Sequence, residues 1–436
     1  ILFIFCLSFL FSITSFAQNL SLIRDTEIEG VLLSYVQKLF KAADLPVQKA
    51  KVVLVNDQDL NAFVVGGHTI FIHSGLITQS QNVDDLIFVL AHETGHIVGG
   101  HVTRGIEAYE KAQTTALIST ILGGLVAVAG RPDAGIAVMM GGSNSAGALY
   151  TSFRQTDESA ADRIAADIMK KTNYSMGGFL NTMKLIRMQD RLTPVSEWNY
   201  LRTHPLTQER VNALERFTQN PLPFKKDIRF ELIKAKLIGF LYPPQRVFDI
   251  YQNHNSLPAL YAKAIAYYRN RELDKSLSLL DTLIKSKPDF AYFYELKAQF
   301  LFETSHIKEA IQYYTKALKY IKNAPLIRLS LSQALLQTEE KSNSVLAINE
   351  LKQVLNSDSE IPFAWQLLAT AYDRTNQKAL RDYAMAELYR AKKDYKNAEK
   401  MAQKALKQLK KGTLEYNKAD DIIALSKKED SAIQVK

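Results

Sequence analysis

Apolar residues recur every three to four positions along most of this chain, and breaks in that rhythm divide it. Over residues 25–45, Ile28, Val31, Leu32, Val36, Leu39 and Phe40 fall at helical spacing and predict an amphipathic helix. Residues 51–55 turn to β-branched side chains, and two short runs, 61–65 and 69–72, flank Gly66-Gly67 as the arms of a hairpin would. A small antiparallel sheet is expected here. Should one of its edges lie beside a reactive centre, an extended peptide can add to it as a further strand. His68 and His73 belong to this hairpin and read as surface or packing histidines.

Helical spacing returns at Val83, Leu86, Ile87 and Leu90, with Asn82 placed to cap the helix and Asp84 and Asp85 in its first turn. Residues 116–129 and 134–142 are small and apolar, separated by Arg131-Pro132-Asp133, and neither half is long enough to span a bilayer. Within the 112–150 segment a buried helical hairpin and a mobile lid or membrane-surface element beside the site both stay open, the second because Gly141-Gly142-Ser143-Asn144-Ser145 is flexible in composition. A further helix carries Ile164, Ile168 and Met169.

After about Pro223 the β signals vanish and amphipathic helices follow one another. Ala264 and Ala298, Ser276 and Ala310, and Leu283 and Ala317 are each 34 positions apart, the period of tetratricopeptide (TPR) repeats. The run Trp365-x-x-Leu368-Ala369-x-x-Tyr372 looks like a first repeat helix, and Ala386, Tyr389, Ala398 and Ala405 look like a unit overlapping it. Residues 229–249 read as a capping hairpin. Such arrays are protein-binding scaffolds with a concave face.

Composition adds bounds. The chain has 436 residues, 47% hydrophobic and 23% charged, which suits two or three globular domains and excludes a disordered or fibrous protein. Residues 1–17 are apolar and uncharged and end in Ser15-Phe16-Ala17, predicting a signal peptide cleaved near Ala17/Gln18 and export to the periplasm. The single cysteine, Cys6, lies inside that segment, so no disulfide is expected in the mature chain. Net charge is +9, concentrated at residues 387–411, where nine basic residues meet three acidic ones. A solvated helix face accounts for that run. A peripheral contact with an anionic membrane stays open; export and the lack of a recognised motif argue against nucleic acid.

The chemistry sits on the central helix. In His92-Glu93-Thr94-Gly95-His96 two histidines four residues apart share a helical face and can reach one cation, with Glu93 beside them as a general base. Glu158, in Asp157-Glu158-Ser159-Ala160-Ala161-Asp162, completes a His-His-Glu set that leaves a fourth position open. Asp162, one turn on, can orient a ligand histidine or donate a proton. His204 stabilises an oxyanion, occupies the fourth position and holds the centre off, or is a simple turn residue; His101 reads as structural.

These motifs, with Phe153-Arg154 before the acidic run and Thr203-His204-Pro205 followed by Arg210, resemble metallopeptidase family forty-eight, whose members include the HtpX membrane proteases and the CAAX prenyl endopeptidases. The resemblance covers about residues 45–216. It implies one zinc ion (Zn2+) held by His92, His96 and Glu158, with Glu93 as base, Asp162 as proton donor, and Arg154 and Arg210 as support for the substrate site. Phe153 and Ala165 depart from the family pattern and bear on the shape of that site.

The expected architecture is a signal peptide (1–17), an α+β zincin-type protease domain (18–222) that is mainly helical with a small sheet, and an all-α TPR solenoid (223–436). An exported protease of this family joined to TPR repeats implies a periplasmic endopeptidase. It would cut misassembled or stalled outer-membrane proteins, which the repeats recognise directly or through the β-barrel assembly machinery. The alternative is a chaperone or adaptor of outer-membrane protein assembly with a largely autoinhibited metal site.

Overall fold

A computed structural model describes residues 21–65, 67–101, 155–192, 204 and 207–434. The signal segment, the 112–150 segment and the positions of Phe153, Arg154, Thr203 and Pro205 lie outside the described residues. The chain divides into two compact units, Ile1–Glu272 and Leu273–Lys436.

In the first unit the described elements are β1 (Leu22–Ile23), α1 (Thr26–Ala42), β2 (Lys51–Val55), β3 (Ala62–Val64), β4 (Thr69–His73), α2 (Ser74–Gln79), α3 (Val83–Gly99), α4 (Gln155–Lys171), α5 (Gly177–Leu192), α6 (Gln208–Phe217), α7 (Ile228–Leu241), α8 (Pro244–Ile250) and α9 (Leu257–Arg269). The four strands form one sheet in the order β1-β2-β4-β3. Strands β3 and β4 make the expected hairpin, with Phe63 opposite Phe71.

The sheet is mixed, not antiparallel as the sequence suggested. Strand β2 pairs in parallel with β4, Leu54 facing Ile72. Two chain reversals separate β2 from β4, so the two run the same way, and β4 inserts between its predecessors instead of extending a meander. Strand β3 is thereby left at an edge.

Side chains alternate across the sheet. Leu54, Ile70 and Ile72 enter the main core with Leu32, Val36 and Phe40 of α1, Leu86, Ile87 and Leu90 of α3, and Phe179 of α5. Val55, Phe63 and Phe71 form a small cluster on the other face, the two rings stacked 5.1 Å apart. His68 packs near Phe40, and His73 is buried 3.7 Å from Asp57, the packing roles anticipated for them.

The first unit takes in three helices that the sequence boundary at residue 222 had placed with the array. Phe230, Ile233 and Leu237 of α7 belong to the same core as α1 and α3. Lys236, 2% exposed, pairs with Asp25 at 2.7 Å and Glu27 at 3.2 Å, and the Tyr261 hydroxyl of α9 donates to Glu27 at 2.8 Å.

The second unit is an all-helical array: α10 (Leu273–Ser286), α11 (Ala291–Glu303), α12 (Ile307–Tyr320), α13 (Pro325–Gln337), α14 (Lys341–Ser357), α15 (Pro362–Arg374), α16 (Lys378–Ala391), α17 (Tyr395–Leu406) and α18 (Leu414–Gln434). Helices α11 and α13 start 34 residues apart, as do α12 and α14, which is the TPR period. Buried alanines such as Ala298, Ala310, Ala317, Ala334 and Ala347 let neighbouring helices approach. The overlapping units resolve here: α16 packs both on α15 and on α17, so one helix serves two repeat patterns. The turns carry a left-handed residue at Ser305, Glu339, Asn376 and Lys393. Among the described residues no helix is long and apolar enough to cross a membrane.

Candidate metal centre

Helix α3 begins at a capping box in which the Asn82 side chain accepts from the Asp85 N–H and the Asp85 carboxylate accepts from the Asn82 N–H. It ends at Gly100, left-handed at φ 61°. Between these stops the helix is almost wholly buried, and two turns from its end it presents His92, Glu93 and His96. Gly95 fixes what faces them. A Cβ there would sit 2.7 Å from the Ala161 carbonyl oxygen, so α3 and α4 cross backbone to backbone at this point. Glu158 and Asp162 lie on either side of Ala161 along α4, which brings both carboxylates to the histidine pair.

The donor atoms converge. His96 Nε2 lies 3.1 Å from His92 Nε2, and Glu158 lies 3.3 Å from each of these nitrogens. His204 Nδ1 joins them, 3.2 Å from Glu158 Oε1 and 3.3 Å from His92 Nε2. One ligand atom from each of the four residues falls within 4.8 Å of the others, and all four residues are buried. Nitrogen lone pairs and carboxylate oxygens aimed at one buried point suit a cation with nitrogen and oxygen ligands, and four donors match the number a zinc-like ion takes.

The shell behind the donors is equally ordered. Asp162 Oδ1 is 2.9 Å from His92 Nδ1, which places this carboxylate behind the histidine, within reach to orient the ring. Arg210, held on α6 just after its Thr207 cap, binds Asp162 through Nε at 2.7 Å and Nη2 at 3.0 Å and reaches Glu158 with Nη1 at 2.8 Å. Only 3% exposed, it faces the two carboxylates and balances their charge. His101 folds back so that its Nδ1 lies 2.8 Å from His96 Nδ1. Sequence reasoning gave this residue no part in the centre; the Gly99-Gly100 pair ahead of it was the signal.

Charge states follow from these neighbours. Burial holds His96 down to about 3, leaving the imidazole neutral as a metal ligand must be. Burial also pulls on His92, but hydrogen bonds to Asp162 and Glu158 outweigh it and push the ring up to about 10. A cation among the donors would supply the positive charge that this proton otherwise brings. Against the pull of burial, His204, His92 and His96 keep Glu158 below the ordinary carboxylate range, and His92 and Arg210 do the same for Asp162. Glu93 differs: burial raises it, moderated by His204 and His92 and by a backbone hydrogen bond from Val64 on edge strand β3.

Residues 27–218 match the model of peptidase family M48. The chain is 25% identical over 378 residues to the Beta-barrel assembly-enhancing protease of Escherichia coli K12, covering 84% of this chain and 76% of that protein. It is 25% identical over 343 residues to the protein of the same name from Yersinia pestis, covering 76% and 69%. Metalloprotease LoiP of Escherichia coli K12 is 24% identical over 159 residues, 36% of this chain and 58% of that one. Every donor of the centre lies inside residues 27–218, the stretch that matches the peptidase family M48 model.

Proposed function

We propose that this chain is a zinc-dependent endopeptidase of the bacterial periplasm. In this reading it cuts misassembled outer-membrane proteins that the helical array selects, either directly or through the β-barrel assembly machinery. The observation that carries it is the convergence of His92, His96, Glu158 and His204 on one buried point beside Glu93. The names of the two assembly-enhancing relatives support the substrate class. The apolar start of the chain supports export, with a signal peptide ending near Ala17/Gln18.

His92, His96 and Glu158 would hold the metal, and the chemistry it would supply there is Lewis acidity toward a scissile carbonyl. Asp162 and Arg210 keep His92 and Glu158 in place. Glu93, whose Oε1 lies 3.4 Å from His204 Nε2, would take a proton from an attacking water and return it to the leaving nitrogen, and burial, which raises its affinity for protons, strengthens it as a base. Edge strand β3, whose Val64 N–H reaches Glu93, offers an extended client a ladder beside that carboxylate. Replacing Glu93 by Gln should lower peptide cleavage by about 10²–10⁴-fold while metal content is retained. Unchanged cleavage and client turnover would sink the protease reading and leave a chaperone or adaptor.

One observation favours a centre that is closed at rest. His204 Nδ1 occupies a place among the donors while its Nε2 lies 3.4 Å from Glu93 Oε1, so a single ring covers both the fourth position and the base. Replacing His204 by Ala should therefore raise cleavage of a denatured client. A sharp loss would assign it to the oxyanion instead.

A further inference from the structure

We propose that His101 is a positioning residue that fixes the tautomer and orientation of His96; the inference rests on the metal-centre reading above. With His96 Nε2 among the donors, its proton must sit on Nδ1. That atom is 2.8 Å from His101 Nδ1, a hydrogen-bond distance between two ring nitrogens of which only one can donate. His96 is therefore the donor and His101 Nδ1 the acceptor. The proton of neutral His101 then lies on Nε2, the atom facing Asp157 Oδ1 at 3.7 Å. The two histidines of the motif helix are thus backed in parallel ways, His92 by Asp162 and His96 by His101.

The local chain is shaped for this contact. Gly100 takes the left-handed conformation at φ 61° and reverses the chain at the end of α3. His101 then lies back over the helix end, 1% exposed, with its ring centre 4.9 Å from that of His96. Gly99 makes room for it: a Cβ at that position would stand 2.2 Å from His101 Nε2. A spacing outside any three-histidine zinc motif puts His101 one layer behind the metal, not on it.

The test is zinc affinity of the full chain, measured by competition with a chromophoric chelator, together with the visible spectrum after cobalt(II) substitution. His101→Leu removes the acceptor and should weaken zinc about 10–100-fold, the usual effect of losing such a partner. His101→Asn, whose Oδ1 can take the place of Nδ1, should recover most of that loss. Gly99→Ala, which leaves His101 in the chain but drives its ring away, should behave like His101→Leu. Both weak variants should shift the cobalt bands, and the metal-free melting temperature should stay near that of the wild type. Equal affinities in all four proteins would overturn the proposal, as would equal losses in the Leu and Asn variants, which would mark a packing role. Nitrogen-15 correlation spectra of the wild type need no variant: an unprotonated His101 Nδ1 is expected, and a protonated one overturns the assignment. Failure of the wild type to take up zinc would remove the centre reading and this inference together, and would show before any substitution is made.

Discussion

At residue 95 the absence of one methyl group decides whether the centre exists. An alanine Cβ would meet the Ala161 carbonyl oxygen at 2.7 Å and its Cα at 2.9 Å, backbone atoms that cannot swing aside. Helix propensity alone favours Gly95→Ala by about 1 kcal/mol. Overpacking costs about 1–3 kcal/mol and forces α3 and α4 apart, so the second effect wins. The variant should lose stability in urea and bind metal more weakly, because Glu158 retreats with α4; an undiminished metal affinity would show that the crossing does not set the donor geometry. The pairing of His92 and His96 was legible in their four-residue spacing on a helix, and the structure places ligand atoms of Glu158 and His204 within 4.8 Å of theirs. His101 and Lys236 were not legible in this way. The role of His101 depends on the dihedral angles of Gly100, and Lys236 on a helix face looks like any solvated cation until Asp25, Glu27 and Tyr261 are seen around it.

At the scale of elements, that lysine fastens α7 and α9 to the start of α1. Burial raises Glu27 from 4.5 to about 7, although Lys236 works against the shift. A carboxyl raised by folding binds more protons in the native than in the unfolded chain across that interval, so its contribution to stability is present at low pH and is lost as pH rises from about 4.5 to about 7. Replacing Glu27 by Gln should flatten this decline, with a gain over wild type that grows toward pH 8 and reaches at most about 3 kcal/mol in urea titrations. A difference independent of pH would place the titration elsewhere. Strands and repeat helices were readable from their periods, but pairing was not. Residues 51–55 announce a strand without saying which neighbour it takes, and the insertion of β4 beside β2 depends on the whole core. In the array the period revealed the helices, while the turn residues Ser305, Glu339, Asn376 and Lys393 share a backbone conformation and no chemistry that a pattern could detect.

For the whole molecule, the division expected near residue 222 reflected where β signals stop, whereas the first unit runs to Glu272 because α7 shares the apolar core of α1 and α3. A change in periodicity marks a change of architecture; a unit ends where burial ends, and only the second is energetic. The burial of the centre has a consequence of its own. His92, His96, Glu158 and His204 are 0%, 2%, 1% and 3% exposed, so no chelator can touch the donor set of the closed protein. Exchange of the ion then waits for a local opening, and the rate at which EDTA strips the metal should level off as its concentration rises. His204→Ala should raise that plateau, and a rate that stays proportional to chelator would mean that the ion can be reached directly. Loaded once, the chain would keep its ion through a passing scarcity that an equilibrium constant alone would not survive.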